Sequence, residues 1–96
     1  MPSLHITKSP AARRDLKSIY FYIAKENETA AAAMLRRIDR EISFLASHPY
    51  SGEAQPTLGE GIRRIIVRNY LVFYQVTSRV RIMRVLHAAQ KWEDML

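Results

Sequence analysis

Arg63, Arg64, Arg68, Arg81, Arg84 and His87 are the residues of this 96-residue chain whose types and spacing could do chemistry. A guanidinium is a permanent planar cation with a fork of donors suited to phosphate or carboxylate. Histidine is the side chain that ordinarily changes charge near neutrality, so it can serve as a general acid or base. No acidic residue stands between Gly61 and Lys91 to neutralise the set. Like charges on neighbouring strands repel, so the cluster predicts an anion that relieves it. By strict alternation Arg64 and Arg68 share a face with Ile62 and Ile66, while Arg63 shares one with Ile65 and Val67; alternation does not say which face meets the core. Singly, each arginine also reads as a solvated, snorkelling side chain. His87 reads more simply as a capping or core-edge residue than as a catalyst. His5, in a polar strand face, and His48, at a helix end where a cation is favoured, are weaker candidates.

Other chemistry is excluded by what is missing. Three scattered histidines without nearby carboxylates make a poor metal set, and phosphate-loop, dinucleotide, zincin, EF-hand and triad signatures do not occur, so neither metal nor cofactor is expected. The absence of cysteine removes disulfide scaffolds, thiolate nucleophiles and Cys-ligated zinc together. No apolar run approaches the ~18–20 residues of a membrane span. The N-terminal MPSLHITKSP lacks the basic-then-apolar pattern of a signal peptide, so a soluble cytoplasmic protein with no membrane partner is expected. Length predicts one domain over 1–96. A hydrophobic share of 48% and a charged share of 25% place it with globular rather than disordered chains.

The net charge of +6 is unevenly placed. Residues 1–60 carry eight Lys/Arg against seven Asp/Glu, whereas 61–96 carry seven against Glu93 and Asp94 alone. The last third therefore reads as a cationic surface, with an acidic macromolecule rather than a small-molecule substrate as its natural partner.

The elements that must position these residues follow from periodicity. Leu4, Ile6 and Lys8 alternate with His5 and Thr7, which predicts a short strand. Ser9-Pro10 is a helix start, Ser at the N-cap and Pro at N1. Ala12, Leu16, Ile19, Tyr20 and Ile23 then recur at helical spacing over 10–25. Asn27 can close that helix or cap a second one, marked by Ala31, Met34, Leu35, Ile38, Ile42 and Leu45 and ending near Ser47. The short connection implies an antiparallel helical hairpin. Residues 49–61 hold two prolines and three glycines, which predicts a loop throughout. Three β-branched and aromatic runs follow, Ile62–Val67, Tyr70–Val76 and 80–86, and read as an antiparallel meander. Asn69 is the residue expected to take the left-handed turn conformation. Val80, Ile82, Arg84 and Leu86 cannot all face a core unless a bulge shifts the register. Tyr20, Phe21, Tyr22, Phe73 and Tyr74 read as core packing rather than as a base-stacking surface. The tail offers only Trp92, Met95 and Leu96 as large apolar groups, with Trp92 equally suited to plug the core or anchor a target.

The expected fold is α+β, β-α-α-β-β-β, with the N-terminal helical hairpin packed on one face of a small twisted antiparallel sheet. Its other face is expected to stay free and to carry the arginines.

In this order the segments SPAARRDLKSIYFYIAKEN, ISFLASHPYSG, GIRRIIVRNYLVFYQV and IMRVLHAAQ resemble the ParE branch of the RelE/ParE toxin superfamily over nearly the whole chain. The most specific pieces are Asp15-Leu16 with Ile19 and Ile23, the turn from Pro49 to Gly52, Tyr70 to Tyr74, and Arg84-Val85-Leu86-His87. The resemblance implies a toxin of a type II toxin–antitoxin system, of the kind tied to plasmid stabilisation. It further implies a non-enzymatic inhibitor of DNA gyrase that blocks replication, and a ParD-like ribbon-helix-helix antitoxin that neutralises it in a tight hetero-oligomer. Arg63, Arg64, Arg68, Arg81, Arg84 and Trp92 are then the expected antitoxin- or target-binding residues. Charge reversal at Arg64 or Arg84 is expected to weaken binding with little loss of fold.

The alternative in the same superfamily is a RelE-like, ribosome-dependent, metal-independent mRNA endoribonuclease, for which Arg63, Arg64, Arg84 and His87 would supply acid, base and phosphate-binding groups. Two departures disfavour it: no lysine lies between Lys25 and Lys91, and His87 is followed by Ala88 where an aromatic would be expected.

Overall fold

The computed structural model describes residues 3–96, and the side chain of Met95 lies outside what it describes. Strand β1 (Ile6–Lys8), helices α1 (Pro10–Ala24) and α2 (Glu28–Phe44), and strands β2 (Glu53–Ala54), β3 (Ile62–Val67), β4 (Tyr70–Val76) and β5 (Val80–His87) follow in chain order, with a last 3-10 turn at Trp92–Met95. The class and the β-α-α-β-β-β order are those expected. The two-residue β2 is an addition inside the segment expected to be loop throughout.

Local chemistry sets the boundaries. Ser9 is extended, its Oγ accepts the Ala12 N–H at 2.9 Å, and Pro10 opens α1 where a missing donor is harmless. Asn27 caps the second helix: its Oδ1 accepts the Ala30 N–H at 2.9 Å. α2 stops at Phe44, earlier than expected, and 45–47 form looser turns ahead of Pro49. At the β3–β4 hairpin the left-handed residue is Arg68, with φ 57°, rather than Asn69.

The five strands lie in the order β1-β5-β4-β3-β2. The expected meander is present as β3–β4–β5, antiparallel throughout. β1 pairs with β5 in parallel, Ile6 opposite Val80, which makes the sheet mixed. The register of β4 on β5 shifts between Phe73 and Tyr74: Phe73 faces Arg84, Tyr74 faces Ile82, and Met83 is the extra residue. This bulge lets Val80, Ile82 and Val85 all join the helix-facing core.

That core packs Ala12, Ile19, Ile38, Ile42 and Leu45 from the helices on Val72, Tyr74, Val80, Ile82 and Val85. Each is at most 8% exposed, and each large side chain so buried contributes roughly 1.5–3 kcal/mol of transfer free energy. The opposite face differs from expectation. Leu71, Phe73 and Leu86 are buried there under Leu58 and Trp92, with the Phe73 and Trp92 ring centroids 5.1 Å apart. The loop before β3 and the tail after β5 carry spare apolar groups, and burying them on the sheet removes both surfaces from water. Among the described residues no helix is long and apolar enough to cross a membrane.

Candidate functional site

α1 is bolted to β5 at its start. The Ser9 N–H donates to Ile82 O at 2.9 Å and the Ser9 hydroxyl to Met83 O at 2.7 Å. One and a half turns further, Asp15 meets the strand where β1 has ended. Its Oδ2 accepts the Val85 N–H at 2.9 Å and Arg84 Nε at 2.8 Å, while Oδ1 accepts Arg84 Nη2 at 2.9 Å. The carboxylate is 13% exposed, the guanidinium chain 21%. The Asp15 hydrogen bonds raise Arg84 above the ordinary arginine pKa, against the opposing effect of burial.

Beyond this fork a groove of about 710 Å³ opens between α1, the early part of α2 and the end of the β4–β5 ladder. Ile19, Ile23, Met34, Val85 and Leu86 give it apolar walls, and Ser18, Tyr22, Asn69, Tyr70, His87 and Gln90 a polar rim. Burial raises the Tyr70 phenol, and the nearby Tyr22 adds to the shift. His87 stands edge-on to Tyr70 at 5.4 Å. Its Nδ1 accepts the Ala89 N–H at 3.0 Å, its own N–H donates to Gln90 Oε1 at 2.9 Å, and Ala88 N–H reaches Asn69 O at 2.7 Å. His87 is thus the pin of a closed turn. With Nδ1 an acceptor, a neutral ring carries its proton on Nε2.

The arginines expected to form one surface are dispersed. Arg63 turns toward the chain before β2, where its Nη1 donates to Gly52 O at 2.7 Å and Tyr50 O at 3.2 Å and its guanidinium lies 5.2 Å from the Tyr50 ring centroid. Arg64 lies on the other sheet face, bonded to Glu53 Oε1 at 2.9 Å and 5.8 Å above the Trp92 ring. Arg84 goes over the far edge to Asp15. The anions missing between Gly61 and Lys91 come from α1 and β2. Arg68 and Arg81 are exposed. The expectation that Arg84 can be reversed at little cost to the fold gives way, because a glutamate there would face Asp15. Trp92 is partly buried on Phe73 and so covers the sheet.

Folding also moves the positive surface. Arg13, Arg14, Lys17, Lys25, Arg36, Arg37 and Arg40 are all exposed on the helices. Phe21 and Tyr22, expected in the core, are 61% and 73% exposed. With Arg14, Lys17, Ser18 and Lys25 they line a trough of about 500 Å³ along α1, beside the groove. Sequence reasoning missed Tyr22, Met34 and Asn69 as groove residues. Tyr22-Ile23 carried the available signal, because an apolar run continuing round the helix past its core stripe implies a second contact. Among the described residues no cluster of His, Asp and Glu could hold a metal ion.

An apolar trench with a polar rim, flanked by the cations of the neighbouring α1 trough, can take an amphipathic segment with acidic flanks. Residues 6–92 match the family described as the ParE toxin of the type II toxin–antitoxin system parDE. Toxin ParE1 of Caulobacter vibrioides is 36% identical over 80 residues, covering 82% of this chain and 83% of that protein. The Sinorhizobium fredii protein Y4kP is 33% identical over 87 residues, 88% of each chain. Among solved structures, the chromosomal ParDE system from P. aeruginosa superposes with a TM-score of 0.75 at 18% identity, covering 91% of this chain and 98% of that one. The RelBE2 toxin–antitoxin complex from Mycobacterium tuberculosis gives 0.63 at 22%, covering 94% and 97%. At such identities the two structures speak for the fold.

Proposed function

This chain belongs to the ParE family of type II toxin–antitoxin toxins, and from that premise we propose that it poisons DNA gyrase and is neutralised by a ParD-like antitoxin lodged in the α1–β5 groove. The observation that carries the binding reading over the nuclease one is the engagement of the residues a nuclease would need. Arg63 is held by two loop carbonyls, Arg84 by Asp15 and the His87 Nδ1 by Ala89 N–H. Electrostatic catalysis needs donors aimed at one developing charge, and these side chains turn to different parts of the molecule.

The groove suits an antitoxin on two counts. Its walls are apolar, and exposed Lys17, Lys25 and Arg68 stand outside them, so an acidic amphipathic helix would bury its apolar face while its carboxylates met the rim. The P. aeruginosa and M. tuberculosis relatives, a ParDE system and a RelBE2 toxin–antitoxin complex, support such a partner. Since a fold can host several functions, the gyrase assignment rests on family membership.

The test is to incubate the purified chain with gyrase, ATP and relaxed plasmid, with and without antitoxin. Loss of supercoiling with trapped linear DNA, reversed by antitoxin, is expected. Undisturbed gyrase together with cleavage of ribosome-bound mRNA would replace this reading with the nuclease.

A further inference from the structure

β2 is cut to two residues because the chain before it is held off the sheet. Glu53 pairs with Arg64 and Ala54 with Arg63, so an unbroken β2 would place Ser51 opposite Ile66. Instead the Gly52 N–H donates to the Tyr74 hydroxyl at 2.9 Å, which itself donates to Pro49 O at 2.9 Å, and Arg63 holds Gly52 O. Residues 49–52 are drawn off the sheet. A Cβ at Gly52 would overlap the Tyr74 hydroxyl and stand 2.9 Å from Arg64 O, so only glycine fits this departure.

What remains is an open stretch of the β3 edge. Gln55 N–H donates to Ile62 O across that edge at 2.8 Å. Alternation therefore turns the N–H and C=O of Ile62, Arg64 and Ile66 outward, and those of Ile66 pass the end of β2 to solvent. The Ile66 side chain is 65% exposed and Phe44 49%. Both line a shallow slot of about 330 Å³ with Ile65, Leu45 and Glu41. An edge with an unpaired ladder and exposed apolar groups is a template for another strand.

Charge selects the strand. A second copy pairing antiparallel about Ile66 would set Arg64 of each chain beside Arg68 of the other, four guanidinium groups against two Glu53 carboxylates, between chains of net charge +6. We infer that the β3 edge at Ile66 is a docking site for a short extended segment of a partner protein with alternating acidic and apolar residues. Its backbone continues the line of β2, its apolar residues lie beside Phe44 and Ile65 on the helix-covered face, and its carboxylates lie on the other face, where Ile66 stands between Arg64 and Arg68. This site lies at the edge opposite β1 and is independent of the groove and of gyrase.

The probe is an acetylated, amidated octapeptide of alternating valine and glutamate, titrated into the isotope-labelled full chain, with a valine–lysine octapeptide as control. The expected result is a shift and slowed exchange of the Ile66 amide, with the glutamate peptide binding at least about tenfold more tightly than the control. Ile66→Asp should weaken it about tenfold at unchanged melting temperature. Arg68→Asn, which keeps a residue that accepts the left-handed turn, should weaken it severalfold. Equal response to both peptides, no response, or shifts confined to the α1–β5 groove would overturn the inference. A sedimenting dimer that protects Ile66 would overturn it in favour of self-pairing.

Discussion

The two edges of the sheet are finished by opposite means. At the β5 edge, where β1 runs out after Lys8, side chains take over from the missing strand. Asp15 accepts the Val85 N–H and Gln90 the His87 N–H. At the β3 edge, where β2 runs out, the neighbouring chain is pulled away by Tyr74 and the ladder at Ile66 is left open. An edge closed by side-chain hydrogen bonds contributes to stability, and an edge left open is available for contact at little cost to the fold.

The strongest way to break this contrast is Asp15→Ala, which removes the one carboxylate that accepts from both a partly buried guanidinium and an edge N–H. A loss of about 3 kcal/mol is expected, lowering the melting temperature by roughly 12–24 °C for a domain of this size. Asp15→Asn, keeping an acceptor for Val85, should recover part of it, and a melting curve like the parent's would show the fork to be ornamental. Next comes Gly52→Ala, where the added methyl meets Tyr74 and Arg64 O; a loss of about 1–3 kcal/mol in urea unfolding is expected.

A pH experiment tests the same hook from the other side. Burial is the main cause that raises Tyr74 above its ordinary value of 10.0, partly offset by its hydrogen bond with Gly52. The folded protein holds this proton where the unfolded chain releases it, so the contribution is intact below that value and falls as pH rises through the raised one. Urea midpoints should decline as the pH rises above the ordinary tyrosine value, and Tyr74→Phe should flatten the decline in part, the Tyr70 phenol being raised as well. Smallest of all, Ile66→Lys should change stability by no more than about 0.5 kcal/mol. A large drop there would erase the distinction between the edges.

The sequence was most legible where contacts are local. β3 and β4 fall at their expected boundaries and β5 one residue beyond, because alternating apolar runs and a two-residue turn are decided within a few residues. Ser9-Pro10 marked its helix start for the same reason. What was hidden depends on partners far along the chain. Asp15 and Arg84 are 69 positions apart, so nothing near Arg84 shows that its charge is matched. Leu58 and Trp92 cover a sheet face that alternation alone left bare. Counting charges by position placed the positive surface in the last third, whereas folding pairs three of those arginines internally and displays the helices' cations instead. The groove draws its lining from four elements, so no single stretch of sequence shows it.

The parallel pairing of β1 with β5 sets a timetable. Ile6 waits for Val80, and Ser9 for Met83, each 74 residues later. Such non-local contacts close last, because the loop entropy must be met before the ladder returns anything. As the chain leaves the ribosome, the helical hairpin can collapse early, but the sheet has no finished edge, and α1 no anchor, until β5 has emerged. The α1–β5 groove therefore forms only once β5 has emerged, so the surface proposed for the antitoxin and the completed sheet arise in the same step.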